Sequence, residues 1–185
     1  MKIEDGKGRN GDASVSNTQR LNVSNKGASR IYYVSRDSGL AFNAVYPAMT
    51  AAAGDYVAYL KNTSSTRNLF VGRLEFHSAE NVEWNVWHVT GTAASGETIV
   101  PTNLNLGSGL LAEATAMAGN TSITGLTPVK QVGVHRTTAA GEASMDFEYA
   151  LILSPGTAIA IEYQAGTTGL CEFDFHFYYE PLGQN

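Results

Sequence analysis

The side chains with the clearest potential for chemistry are four histidines, His77, His88, His135 and His176. A metal site of the cupin type would need a His-x-His pair followed a few residues later by a Glu, with a second His on a later strand. The four histidines instead stand alone, each more than ten residues from the next. An isolated His on an alternating strand is more often a surface or core-edge residue. The sequence therefore predicts no metal ligands and no cofactor.

Acidic residues are the next candidates, because glycoside hydrolysis needs two carboxylates roughly 5–10 Å apart in a cleft. Several alternate with apolar residues along strand-like runs, as solvent-facing positions of half-buried strands do. Catalysis by such a pair is therefore not predicted. The residues concerned are Glu75, Glu83, Asp146, Glu148, Glu162, Glu172 and Asp174.

Signatures of an activated nucleophile are missing. There is no Gly-x-Ser-x-Gly, and the Gly-rich stretch 6–11 lacks the Gly-Lys-Ser/Thr ending of a phosphate loop. The one cysteine, Cys171, lies inside a strand-like run and is predicted to be a buried small hydrophobe. A lone cysteine excludes an intrachain disulfide and fits folding in a reducing cytoplasm. We expect a protein that is not an enzyme.

Exposed aromatic residues could instead bind a partner. Trp84 and Trp87 are an odd number of residues apart, so on a regular strand they point to opposite faces, one into the core and one outward. Core packing, a protein interface and a sugar-stacking platform are all open for the outer aromatics. The candidate interface aromatics are Trp87 and Tyr178.

The elements that position these residues are mostly strands, because apolar residues recur with a period of two. Residues 31–34 are predicted as the first strand and 110–119 as the only short helix. Gly72 within the run 69–77 predicts a bulge or a bend. The clearest further runs are 40–46, 55–61, 82–89, 129–136, 144–153, 157–164 and 170–180.

About eight to ten strands with irregular loops favour an all-β fold. We predict an antiparallel β-sandwich, more like a jelly roll than an immunoglobulin domain, over residues 31–185. In the run 69–77, alternation places Phe70, Leu74 and Phe76 on one face and Arg73 with its odd-numbered neighbours on the other.

Residues 1–30 differ in composition from the rest and are predicted to form an extended N-terminal arm. They are rich in Gly, Ser and Asn and carry six Lys/Arg against three acids, a balance of +3. The other 155 residues carry six against fourteen, a balance of −8. A segment so poor in apolar side chains gains order only on another surface. The residues predicted to dock the arm are Lys2, Lys7, Arg9, Arg20, Leu21 and Val23, the last two as a short strand.

Charge and hydropathy argue against two classes of partner. The net charge of −5 argues against a nucleic-acid-binding body, which would normally show a basic face. No run of about 18 apolar residues is present, so we expect no membrane partner, and no apolar leader segment is recognised.

Two stretches carry a resemblance to a known class of proteins. The first, residues 3–25, contains the pattern I-x-D-G-x-G followed by V-x-x-x-x-R-L-x-V. The second begins with residues 54–76 and continues in residues 87–109 and 150–163. Together they resemble small virion proteins of tailed bacteriophages and prophages.

This resemblance implies a structural role rather than a catalytic one. It implies a capsid decoration (cement) protein with a jelly-roll body, bound to the major capsid protein on the virion surface and assembled in the bacterial cytoplasm. Such proteins commonly form trimers and reach onto the shell or a neighbouring subunit with an arm. The family has no catalytic motif to carry over.

Alternatives remain open from the sequence. A tail, baseplate or fibre-associated virion protein could bind host glycans through exposed aromatics. A carbohydrate-binding or cupin-like module outside any virus is a further possibility, and an enzyme is the last.

Overall fold

The computed structural model describes residues 14–15, 21–22, 30–119, 121–139 and 141–182. Within these ranges the chain is mostly β-strand, with one helix. The elements are β1 Ser14–Val15, β2 Leu21–Asn22, α1 Arg30–Ser38, β3 Ala41–Ala51, β4 Asp55–Asn62, β5 Arg67–Ser78, β6 Val82–Ala94, β7 Glu97–Ile99, β8 Thr102–Asn103, β9 Ala114–Ala118, β10 Thr124–Thr137, β11 Gly141–Leu153, β12 Ala158–Ala165 and β13 Gly169–Pro181.

The strands from β3 onward form two antiparallel sheets. The five-stranded sheet has the order β11-β5-β13-β3-β8, and the six-stranded sheet has the order β10-β6-β12-β4-β9-β7. The eight long strands divide equally between the sheets, and the chain crosses from one sheet to the other after β3, β4, β5, β7, β8, β10, β11 and β12. This is the double-sheet arrangement of a jelly roll, so the predicted fold class is confirmed.

Aromatic side chains fill the core between the sheets. Phe42 and Phe177 stack with ring centroids 5.7 Å apart, and Trp84 stacks on Phe76 at 5.1 Å. The indole Nε1 of Trp84 donates a 3.0 Å hydrogen bond to Thr137 Oγ1, which satisfies the one polar atom of a fully buried side chain. Such large rings bury much apolar surface and account for a well-packed sandwich.

A bulge in β5 decides which of its side chains reach the surface. The pairing of β13 with β5 skips Gly72, passing from Arg73 directly to Val71. The extra residue shifts the alternation, so Val71 and Leu74 both face the core whereas Arg73 and Glu75 face outward. The predicted bulge is therefore confirmed, and it changes the face of every residue on one side of it.

The first predicted strand is wrong, because residues 31–34 lie in helix α1. Val34 packs on the outer face of the five-stranded sheet against Ala41 and Tyr178, and Ile31 lies beside it at helical spacing. The helix ends at Gly39, whose φ of +62° suits the left-handed cap and whose N–H donates to the carbonyl of Ser35 at 3.1 Å.

The predicted short helix is also wrong, because residues 110–119 contain strand β9. This strand pairs with β4 and β7, and it places Ala116 and Ala118 in the core at 1% and 0% exposure. Alanine favours a helix in isolation, but the small side chains fit a gap in the sandwich that only a strand can fill.

Candidate functional site

The predicted arm lies mostly outside the described residues. Leu21 is in β2, which pairs antiparallel with β1 through Leu21 and Val15. The predicted domain boundary after residue 30 falls in the first turn of α1. The docking role of the arm stays a prediction. Its other candidate residues, Lys2, Lys7, Arg9, Arg20 and Val23, lie outside the described residues.

Tyr178 is not an exposed interface aromatic. Its side chain is only 3% exposed and stacks on Phe70, with centroids 5.1 Å apart and planes 4° apart. Helix α1 covers the pair through Val34. The sequence prediction failed here because alternation identified an outward-facing residue but could not show that the chain's own helix lies over it.

Trp87 lies on the outer face of the six-stranded sheet, as predicted, and takes part in a polar network. Its indole Nε1 donates to Glu162 Oε2 at 2.9 Å, and Asn85 Nδ2 donates to the same oxygen at 3.2 Å. Gln164 Nε2 donates to Glu162 Oε1 at 3.0 Å. Gln131 Nε2 donates to Asn85 Oδ1 at 2.8 Å. We call these five side chains the Glu162 network.

The Glu162 network borders a shallow, open groove. Asn81, Glu83 and the turn at Gly166 line its other side. An aromatic ring surrounded by amides and carboxylates offers the chemistry that carbohydrates use, stacking together with paired hydrogen bonds. Partial burial raises the pKa of the Tyr56 hydroxyl, and the nearby charge of Glu162 raises it further.

A second group of side chains lies on the outer face of the five-stranded sheet. Glu75, Asp174 and His176 each place a potential ligand atom within 4.8 Å of the others. We call these three residues the β5–β13 cluster. Asp174 pairs directly with Glu75 across the strands, and His176 follows two residues later on the same face. Arg73 Nη2 lies 3.0 Å from Glu75 Oε1.

The electrostatics of the β5–β13 cluster are unfavourable for two free carboxylates. Burial raises the pKa of Asp174, and the neighbouring Glu75 and Glu172 raise it further, although His176 and Asn43 act in the opposite direction. Like charges that lie directly opposite on adjacent strands repel each other. A cation among these oxygens would remove that repulsion.

The sequence prediction missed the β5–β13 cluster. It treated each histidine as isolated, and it placed Glu75 and Asp174 as separate solvent-facing acids. A usable signal was the Asp-Phe-His order at 174–176, which puts an acid and an imidazole on one face of a strand. The third member is about a hundred residues away in sequence. Of the other histidines, His135 stacks on Phe76 at 5.9 Å.

An ordered loop presents apolar side chains to solvent. We call residues 104–111, which form most of the connection between β8 and β9, the leucine loop. Asn103 Nδ2 donates to the carbonyls of Gly39 and Leu110 at 2.7 and 3.0 Å, which fixes the loop against the end of α1. Leu106 and Leu111 are nevertheless 85% and 80% exposed. Exposed leucines in a loop whose conformation is fixed by hydrogen bonds are typical of an interaction surface.

No protein-family model, curated protein or solved structure gives a significant match to the chain. Within the described residues, no helix is both long and apolar enough to cross a bilayer. Function is therefore inferred from the fold and from the side chains on its outer faces.

Proposed function

We propose that the protein is a non-enzymatic structural component of a tailed-bacteriophage virion, which decorates and stabilises the capsid by binding the major capsid protein. The observation that carries this proposal is the jelly-roll topology of the body, preceded by a segment of opposite charge. Jelly rolls of this kind recur in viral capsid and lectin domains. The sequence resemblance to small virion proteins supports the same role.

The N-terminal segment supplies the contact with the shell. Its +3 balance, against −8 for the remainder, favours an acidic partner surface. Leu21 and Val23 add a short strand to the edge of a partner sheet. Many weak contacts on a lattice then give strong overall binding through avidity.

The body supplies contacts between copies. The leucine loop exposes apolar side chains in a fixed conformation, which suits packing against a second copy. A trimer is the assembly we favour, because the small virion proteins that the sequence resembles commonly form trimers. Within the described residues the grooves are shallow and open, which suits contact surfaces better than an enclosed reaction site.

Co-sedimentation with phage heads that lack the protein tests this function. A variant without residues 1–29 keeps α1 and so keeps the cover over Tyr178. We expect the full chain to bind saturably at a fixed ratio to the major capsid protein and the shortened chain to stay in the supernatant. Absence of binding by the full chain would refute the proposal.

A charge-matched comparison separates the arm from general electrostatics. Replacing Lys2, Lys7, Arg9 and Arg20 with Gln should weaken head binding at least tenfold. Replacing four basic residues of the body, Arg36, Lys61, Lys130 and Arg136, with Gln should leave it unchanged. Equal effects of the two sets would show that the arm has no specific role.

The second candidate is a tail, baseplate or fibre-associated virion protein that binds host glycans. The Glu162 network favours it, because it places an indole among fixed amide and carboxylate groups on an open face. Screening the protein against immobilised bacterial surface glycans tests this candidate. Binding that is lost in Trp87→Ala and kept in Tyr33→Ala would support it, and no glycan bound by the full chain would rule it out.

A further inference from the structure

We propose that Glu75, Asp174 and His176, the β5–β13 cluster, bind a divalent transition-metal cation such as Zn²⁺ on the outer face of the five-stranded sheet. The ion would join β5 to β13 at the surface, as a structural element added to the proposed virion role. One imidazole and two carboxylates form a ligand set of the kind that such ions accept.

The fold brings the three side chains together through strand register. Asp174 lies directly opposite Glu75 in the antiparallel pairing of β13 with β5, and His176 is two residues further along the same face. The bulge at Gly72 leaves Glu75 and Arg73 outward, on that face. All three ligands therefore come from two adjacent strands of the rigid sheet.

The distance between two of the ligand atoms favours an ion over a direct hydrogen bond. His176 Nε2 lies 3.8 Å from Glu75 Oε2. This is too long for a hydrogen bond. Two ligands that each lie about 2.0–2.2 Å from one metal are separated by about 3–4 Å, depending on the angle at the metal. The observed separation falls within that range.

The imidazole nitrogen itself lacks a partner. His176 Nε2 is buried and has no hydrogen-bond partner among the described residues. A buried polar atom without a hydrogen-bond partner is costly, and the His176 side chain as a whole is 29% exposed, so the site lies close to the surface. Coordination would satisfy this nitrogen.

Arg73, which lies directly opposite His176 in the pairing of β5 with β13, contacts only one of the two oxygens of Glu75 at salt-bridge distance. It pairs with Glu75 Oε1, whereas the oxygen that faces His176 is Oε2. One carboxylate therefore has one oxygen held in place and the other available, which is how ligating carboxylates are commonly oriented by a neighbouring group. Glu142 and Glu172 line the same groove and add negative charge around the site.

Titration of the metal-stripped full-length protein with ZnCl₂ by calorimetry tests the site. We expect one equivalent to bind and the unfolding temperature to rise with metal concentration. His176→Gln and Asp174→Asn should each weaken binding at least tenfold. His77→Gln, a change on the same strand and face as Glu75 but outside the cluster, should bind as the natural protein does.

The ¹⁵N signal of the His176 imidazole gives a readout that needs no variant to fold. Direct coordination shifts the Nε2 resonance on addition of one equivalent of Zn²⁺. Binding that His176→Gln leaves unchanged, or no saturable binding by the natural protein, would overturn the proposal. The 3.8 Å approach of His176 Nε2 to Glu75 Oε2 would then be only a contact between the two side chains.

Discussion

Trp87 and Glu162, on neighbouring strands β6 and β12, are joined by a 2.9 Å hydrogen bond from the indole Nε1 to the carboxylate Oε2. Asn85 donates to the same oxygen and Gln164 to the other. Both oxygens of the Glu162 carboxylate therefore accept hydrogen bonds. A donor group in place of either oxygen would break at least one of these hydrogen bonds.

Replacing Glu162 with Gln should therefore destabilise the protein, although the side chain keeps its shape. The new NH₂ group must face at least one hydrogen-bond donor, and the charge-assisted hydrogen bonds to the carboxylate are lost. We expect the free energy of unfolding to fall by about 1.5–3 kcal/mol. Urea unfolding measures the change. Glu83→Gln is the control, since it breaks an exposed ion pair with Arg136 and should cost at most about 1 kcal/mol. Equal losses in the two variants would contradict the network.

Asn62 is expected to be the most sensitive polar residue of the sandwich. It is fully buried, and its Nδ2 donates to the carbonyls of Arg67 and Leu153 at 2.9 and 2.8 Å, while its Oδ1 accepts from the N–H of Ser64. Asn62→Ala leaves these buried groups unpaired and should lower the free energy of unfolding by about 3 kcal/mol.

The control for Asn62 is Asn81→Ala. Asn81 is exposed and its side chain accepts one backbone hydrogen bond, so its loss should cost about 1 kcal/mol or less. Chemical denaturation of both variants gives the comparison. A loss at Asn62 no larger than that at Asn81 would show that water replaces the missing partners.

Gly91 is required by the close approach of β6 to β10. Its φ is +98°, and a Cβ there would lie 2.2 Å from the carbonyl oxygen of Gly125. Gly91→Ala should therefore destabilise the protein by at least about 1–3 kcal/mol, measured as a fall in the unfolding midpoint. Gly166→Ala is the control, because a Cβ there meets open space, and its effect should stay within about 0.5 kcal/mol. Equal tolerance of both changes would mean that the strands can separate locally.

Cys171 should be inert in the folded protein. Its side chain is fully buried, and burial, with Glu172 and Asp55 nearby, raises the pKa of the thiol from 9.0 to about 12. A thiol reagent at pH 8 should leave the native protein unlabelled and react fully in urea. Rapid labelling of native protein would contradict this burial.

The same shift predicts an alkaline loss of stability. Because the pKa in the folded state is higher than in the unfolded state, the contribution of Cys171 is fully present below about pH 9 and is lost as the pH rises towards 12. Cys171→Ala should remove that component of the pH dependence of unfolding. If the alkaline profile of Cys171→Ala is unchanged, the loss of stability at high pH comes from buried tyrosines instead.

The leucine loop should mediate self-association if it packs against a second copy. Replacing Leu106 and Leu111 with Ser should shift the protein towards monomer in sedimentation velocity, without lowering its unfolding temperature, because both side chains are exposed. Val100→Ser, a similarly exposed change outside the loop, is the control. A monomeric natural protein would show that the loop serves another partner.

Alternation in the sequence correctly predicts which face of the sheet a side chain lies on where the strand has no bulge. Trp84 and Trp87 were predicted to face opposite sides, and Trp84 is fully buried while Trp87 lies on the outer face. No bulge in β6 separates the two residues in its pairing with β12, so the period of two holds. In β5 it did not hold. Phe70 was placed with Leu74 and Phe76, but the bulge at Gly72 sends it to the opposite face.

The amino-acid sequence alone determined the antiparallel β-sandwich, the outer position of Trp87 and the charge contrast of residues 1–30, because these follow from local periodicity and composition. Tertiary structure alone decided that residues 31–34 form a helix over Tyr178, that 114–118 form a strand, and that Glu75 meets Asp174 and His176. These outcomes depend on register between strands about a hundred residues apart, and on which side chains fill each gap in the core. Local propensities of well under 1 kcal/mol per residue are too small to oppose such packing.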